Sequence, residues 1–268
     1  MKVIVTSGHN RSLGTIGLLE ILKNDGHEIT KVFVVRAFQI NRSIAYLRQF
    51  GLPTIVAKYK SHYLRRGRTY LDQETRPLKA YIKSRNITEN SVSQYCANHS
   101  IAICHVNSLS TKRVLQSCRD INPDIIAYSG GGILCNNLIE TAKKGVINAH
   151  SGPLPEIRGM NAIEWSIIRG LQPTTTIHMI DAGIDTGKVL YSENIPTSPG
   201  DNIYDFRGRT AVQNIHLMSK VLGSFESFED TAENQDLSAG RQYFVMHKKI
   251  KQLLTVQSPY RGDDKYSL

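Results

Sequence analysis

No apolar run in the 268 residues approaches the roughly 18 that a membrane-spanning helix requires. The N-terminus, Met1-Lys2-Val3-Ile4-Val5-Thr6, reads directly into a strand rather than a cleaved signal, so a cytoplasmic protein is expected. Only four cysteines are present, Cys96, Cys104, Cys118 and Cys135, and none forms a Cys-x-x-Cys pair; reduced thiols are expected. The nine histidines contain no His-Glu-x-x-His, so no metal is expected. A Gly-x-Ser-x-Gly elbow is missing, which removes support for a serine hydrolase. Ser129-Gly130-Gly131-Gly132 lacks the Gly-x-Gly-x-x-Gly spacing of a dinucleotide site, arguing against a nicotinamide enzyme. Gly183-Ile184-Asp185-Thr186-Gly187-Lys188-Val189 has too short a glycine spacing for a phosphate loop and places Val where Ser or Thr is required, so an NTPase is rejected.

What is present fits an ordinary folded protein, with 40% hydrophobic and 21% charged residues and one core or one core plus an appendage. The net charge of +10 is concentrated: Lys58 to Arg85 holds nine Lys/Arg against Asp72 and Glu74, interleaved with Tyr59, Tyr63, Tyr70 and Tyr81. This pattern suits either a nucleic-acid or nucleotide-phosphate surface or a solvated helical insertion. Short apolar strands alternate with helical stretches: strands at 1–6, 29–35, 53–57, 101–106, 124–128, 145–150, 174–180 and 189–195, with helices between them and a long amphipathic one at 201–222. The alternation predicts an open α/β sheet, mostly parallel, with a ligand crevice at its carboxyl ends. A catalytic domain over 1–196 and a C-terminal helix with a small appendage over 197–268 are expected.

Asn148 and His150 stand at the end of such a strand, where residues i and i+2 share a face about 6 to 7 Å apart. That gap can bracket one carbonyl group. Asn supplies an N–H donor to a developing oxyanion, His moves a proton near neutral pH, and the carboxylate of Asp185 could orient the imidazole. Each residue also has a plain structural reading, as strand-end hydrogen-bonding partners and as a turn-forming aspartate. His178 reads as a strand residue flanking the crevice, in a core or supporting role. His9 and Asn10, at the first β-to-α turn, and Arg158 are further candidates for substrate contact, against a solvent-facing turn and a pair with Glu156.

Taken in order, Asn148-Ala149-His150, Leu154-Pro155-Glu156-Ile157-Arg158-Gly159 and Asp181 to Gly187 resemble the N-x-H, L-P-x-x-R-G and D-x-G-x-D-T-G motifs of the folate-dependent formyltransferase family. The resemblance is strongest from about Pro123 to Pro196. It implies a Rossmann-like domain that moves a formyl group from 10-formyltetrahydrofolate to an amine, with Asn148, His150 and Asp185 at the catalytic positions. It also implies a pterin cradle of main-chain groups at Gly131, Gly132, Ile133, Leu134, Asp181 and Gly183. Two departures bear on that cradle: Gly132 stands where the family often has Arg, and His150-Ser151-Gly152-Pro153-Leu154-Pro155 replaces His-x-Ser-Leu-Leu-Pro.

The acceptor is a separate question. Family members acting on initiator tRNA carry a C-terminal β-barrel of about 100 residues, the size of a small domain, whereas 72 residues follow Pro196 here. A small anionic amine is therefore expected, specifically a nucleotide-linked amino sugar of bacterial surface-polysaccharide synthesis, with a homodimer as the expected assembly. The alternatives are a tRNA formyltransferase using the basic segment, a formyltetrahydrofolate hydrolase and a non-catalytic folate-binding module.

Overall fold

The computed structural model describes residues 1–36, 68–198 and 200–256. The helix expected near 44–50, the strand expected at 53–57 and the first part of the basic segment lie outside these residues. A seven-stranded sheet has the order β3-β2-β1-β4-β5-β7-β8. Its members are β1 (Lys2–Ser7), β2 (Glu28–Val35), β3 (Ile103–Val106), β4 (Ile125–Tyr128), β5 (Val146–His150), β7 (Thr174–Met179) and β8 (Val189–Asn194). The first five are parallel, β7 runs antiparallel to β5, and β8 runs antiparallel to β7, which gives the mostly parallel, Rossmann-like arrangement expected from the sequence. β6 (Ile157–Gly159) pairs in parallel with β9 (Arg241–Tyr243) in a separate two-stranded sheet.

The period-2 apolar pattern of the strands divides the core. Val3, Val5, Val32, Val34, Ile125, Ala127, Ile147 and Ile177 face one side, where α1 (Leu13–Asn24) supplies Ile16, Leu19 and Leu22. Ile4, Phe33, Val35, Ile126 and Val146 face the other, against Val114 and Cys118 of α4 (Lys112–Ile121). Between them in sequence come α2 (Arg68–Ser84) and α3 (Val92–Asn98), the latter capped by Ser91. After β4 come the short α5 (Asn136–Ile139) and, past β6, α6 (Ala162–Ile168).

Helix α7 (Ile203–Gly223) starts at a capping box formed by Asn202 and Asp205. Although it lies beyond residue 196, its Ile215, Leu217, Met218, Val221 and Leu222 belong to the same buried cluster as β1 and α1. The sheet side and α7 thus pack as one unit. Beyond it, α8 (Phe225–Asp230) leads into β9 and α9 (Lys248–Val256), whose Leu254 joins Ile163, Ile167, Ile203, Phe206 and Met246 in a third cluster.

Candidate active site

Strand pairing brings three side chains into one row at the carboxyl end of β5: Tyr128 of β4 is in register with Asn148, and Asn148 with His178 of β7. His178 is 1% exposed, and its Nδ1–H donates to the Met179 carbonyl at 2.8 Å. That leaves Nε2 as an acceptor, and the Asn148 amide Nδ2–H donates to it at 3.1 Å. One amide hydrogen of Asn148 is therefore fixed, and the second is presented from a side chain that cannot swing. Burial holds the His178 imidazole well below the ordinary histidine range, with His150 adding to the effect and Asp185 opposing it. The neutral ring required by its hydrogen bonds is thus also the electrostatically favoured one.

His150 is buried, and its Nε2–H donates to the Ile157 carbonyl at 2.7 Å. Its Nδ1 stands 3.4 Å from Asp185 Oδ2, while Asp185 Oδ1 stands 3.5 Å from His178 Nε2. Acceptors thus face both nitrogens of the His150 ring, and the longer Nδ1 contact is the one a reacting group can displace. Asp185 itself sits in the left-handed region, φ 54°, and its Oδ2 accepts the Gly159 N–H at 2.8 Å. The last residue of β6 thereby anchors the carboxylate.

Gly159 must be glycine: φ is 95°, and a Cβ would lie 2.3 Å from the Tyr243 carbonyl oxygen across the β6–β9 pair. Gly159→Ala is expected to destabilise the protein by about 1–3 kcal/mol through this clash, which a thermal melt checks. Retained stability would show that the β6–β9 pair yields more easily than its register implies.

The other sequence candidates fall into distinct places. Gly130, Gly131 and Gly132 all have positive φ, and a Cβ on Gly131 would press 2.5 Å from Leu109 Cδ1. The Tyr128 hydroxyl donates to the Gly132 carbonyl at 2.9 Å and accepts its N–H at 3.1 Å, which ties this loop to the strand row. Ile133 is 82% exposed, whereas Leu134 packs on the second core cluster. Asp181 folds its own loop, accepting the Gly183 N–H at 3.0 Å and the Thr186 hydroxyl at 2.5 Å. A Cβ on Gly183 would meet Thr186 Oγ1 at 2.1 Å.

His9 is exposed. Asn10 turns to α3, where its Oδ1 accepts from the Ser93 amide and hydroxyl at 2.9 and 2.7 Å. Arg158 directs its guanidinium to the carbonyls of Leu237 and Gly240 at 3.4 Å each, rather than to Glu156. The structure thus brings Asn148, His150 and Asp185 together with His178 and Gly159, while Asn10 and Arg158 engage neighbouring segments.

Two cavities open beside this group and share Ala149 and Asn214. One, of about 430 Å³, is lined by His150, Ser151, Gly159 and Asn161, with Glu74, Glu164 and Arg207 at its charged part. The other, of about 290 Å³, is lined by Asn148, Ser129, Gly130 and residues of α1 and α7. Burial works against the Arg207 charge, but Glu164 and Glu74 outweigh it and raise the guanidinium above its ordinary value. Arg207 forms ion pairs with both carboxylates, and Lys251 also reaches Glu164 at 3.5 Å.

The acid response of His178 gives a prediction. Folding lowers its pKa, so the unfolded chain takes up the proton first and stability falls as pH drops below about 6.5. Each pH unit of that window costs at most about 1.4 kcal/mol. Melting temperature should fall between pH 7 and pH 5, and His178→Gln should flatten part of that fall. An unchanged slope in the variant would place the acid sensitivity elsewhere.

A family model described as formyl transferase matches residues 1–222. The methionyl-tRNA formyltransferase of Geobacter metallireducens is 27% identical over 189 residues, covering 69% of this chain and 60% of that protein. The chain thus spans about three-fifths of that relative's length. A sugar N-formyltransferase from Shewanella sp. superposes with a TM-score of 0.58 at 11% identity, covering 98% of this chain and 90% of the other. WlaRD, a sugar 3N-formyl transferase solved in the presence of dTDP and 5-N-formyl-THF, gives 0.53 at 13% identity over 91% of this chain and 69% of the other. These two likenesses are of fold. With the family model spanning the whole sheet and α7, the chain belongs to the formyl transferase family.

Proposed function

We propose that the protein transfers a formyl group from 10-formyltetrahydrofolate to a primary amine, using Asn148, His150 and Asp185. The observation that carries this reading is the convergence of an immobilised amide donor, an imidazole flanked by acceptors and an anchored carboxylate beside two cavities. The amine nitrogen attacks the formyl carbon and a C–N bond forms. The carbonyl oxygen takes the negative charge, stabilised by the free Asn148 N–H and by His150 Nδ1–H. Asp185 takes the proton from the attacking nitrogen; as the oxyanion collapses back to a carbonyl and the bond from carbon to the folate nitrogen breaks, Asp185 passes that proton to the leaving nitrogen and regains its charge. Gly131, Gly132, Ile133, Leu134, Asp181 and Gly183 are the expected folate cradle, and the folate-type ligand in WlaRD supports that donor class.

For the acceptor we favour an amino sugar carried on a nucleotide. The larger cavity lies within the 300–1,000 Å³ range of small-molecule sites. Its Ser, Asn, Thr and Glu lining suits a hydroxyl-rich ligand. A second reading, tRNA, is favoured by the exposed basic row Arg76, Lys79 and Lys83 on α2 and by the activity named for the sequence relatives. Incubating the protein and 10-formyltetrahydrofolate with amino-sugar nucleotides, small amines and charged tRNA, with mass spectrometry for formyl addition, separates them. Formylated sugar nucleotide is the expected product; formylated aminoacyl-tRNA alone would replace the sugar by the tRNA reading. Release of formate without any acceptor would indicate a hydrolase, and folate binding without turnover a binding module.

A further inference from the structure

The chain returns to the Asp185 loop after α8. Glu233 and Val189 exchange backbone hydrogen bonds in both directions, at 3.0 and 3.1 Å. Two residues later, Gln235 Nε2 donates to the carbonyls of Gly187 and Asp185 at 2.6 and 3.0 Å. The segment then continues into β9, whose pairing with β6 holds Gly159, and the Tyr243 carbonyl accepts the Met160 N–H at 2.9 Å. Gly159 in turn donates to Asp185 Oδ2. One segment therefore holds Asp185 twice: by its main chain through Gln235 and by its carboxylate through the strand that carries Gly159.

The orientation of the Gln235 amide is set by its two partners. Both neighbours are acceptors, so the nitrogen must face them, and Oε1 is left buried with no partner among the described residues. What the arrangement delivers is two donors to one short stretch of main chain, at the residue whose left-handed conformation aims the carboxylate at both imidazoles.

We propose that Gln235 is a positioning residue for the Asp185 carboxylate, and that Glu233–Tyr243, beyond the part of the chain matched by the family model, completes the active site. Gln235 acts through the loop main chain and touches no reacting atom.

The test compares Gln235→Ala and Gln235→Glu in the full chain by amide hydrogen exchange and by turnover of 10-formyltetrahydrofolate. The loss of two hydrogen bonds should speed exchange about tenfold or more in the stretches 157–161 and 181–188, with β1 and β4 unchanged. In the alanine variant kcat should fall about tenfold while KM changes less. The glutamate variant should be as impaired as alanine at pH 8, where a carboxylate faces two carbonyl oxygens. It should recover toward pH 5, relative to wild type, as the protonated acid regains one donor. Unchanged exchange in both stretches, or an equal rise across the whole chain, would overturn the proposal. The turnover measurement rests on the formyl-transfer reading, but the exchange measurement does not. Loosening of the two stretches in a chain that transfers no formyl group would therefore refute that reading and leave the positioning role intact.

Discussion

Asn148→Ala is expected to slow formyl transfer by about 10²- to 10³-fold, the usual cost of removing one preorganised donor to an oxyanion, while the chain stays folded. The large effect follows from how the amide is held. Because one hydrogen of Nδ2 is committed to His178 Nε2, the other is fixed in direction before substrate arrives and requires no reorganisation as charge develops. The small structural effect follows from where the residue sits. Asn148 is only half-buried at the strand end, and its loss leaves one histidine nitrogen without a donor, a cost of about 1–3 kcal/mol. Steady-state kinetics and a melt measure the two separately. A variant that melts like wild type yet turns over within about threefold of it would remove Asn148 from the mechanism.

Asp185→Asn should cost about 10²- to 10⁴-fold, the range of a lost general base, and it is the cleaner of the substitutions available at this position. Asparagine tolerates the left-handed backbone that Asp185 adopts, where alanine would be strained. Its amide oxygen can still accept the Gly159 N–H. What is lost is the negative charge facing His150 Nδ1 and His178 Nε2 and the capacity to take a proton from the attacking amine. The loss should appear in kcat across the whole pH range, with donor binding largely retained. If kcat were preserved and only KM rose, Asp185 would be a binding group and the proton would have to leave by another path.

Much of this arrangement is legible in the sequence because it depends on short periods. The period-2 rule places Asn148 and His150 on one face, and the alternation of strands and helices locates the carboxyl edge where they stand. Residues whose roles depend on long-range partners are harder to read. Asn10 looks like a crevice residue from its turn, yet its partner is Ser93, which no local pattern brings near. Arg158 sits in a family-like motif beside Glu156, but the carbonyls it reaches belong to Leu237 and Gly240 in a stretch of weak periodicity.

His178 was readable as a supporting residue from its strand position alone; that it fixes the Asn148 amide depends on the antiparallel register of β5 and β7. Gln235 has no sequence signal at all, since its partners are main-chain carbonyls about 50 residues away. Helix α7 shows the same limit in another form. Its amphipathic pattern reveals the helix, but only packing shows that it belongs with the sheet.

Transfer of the formyl group, intact, onto an amine is the reaction proposed for this site. It is tested most directly with 10-formyltetrahydrofolate labelled with ¹³C in the formyl carbon, followed by NMR in wild type and in Asn148→Ala with the acceptor panel present. A labelled formamide signal should grow with wild type and grow more slowly by about 10²-fold or more in the variant. Label accumulating as free formate, or formamide appearing at the same rate in both proteins, would contradict that proposal.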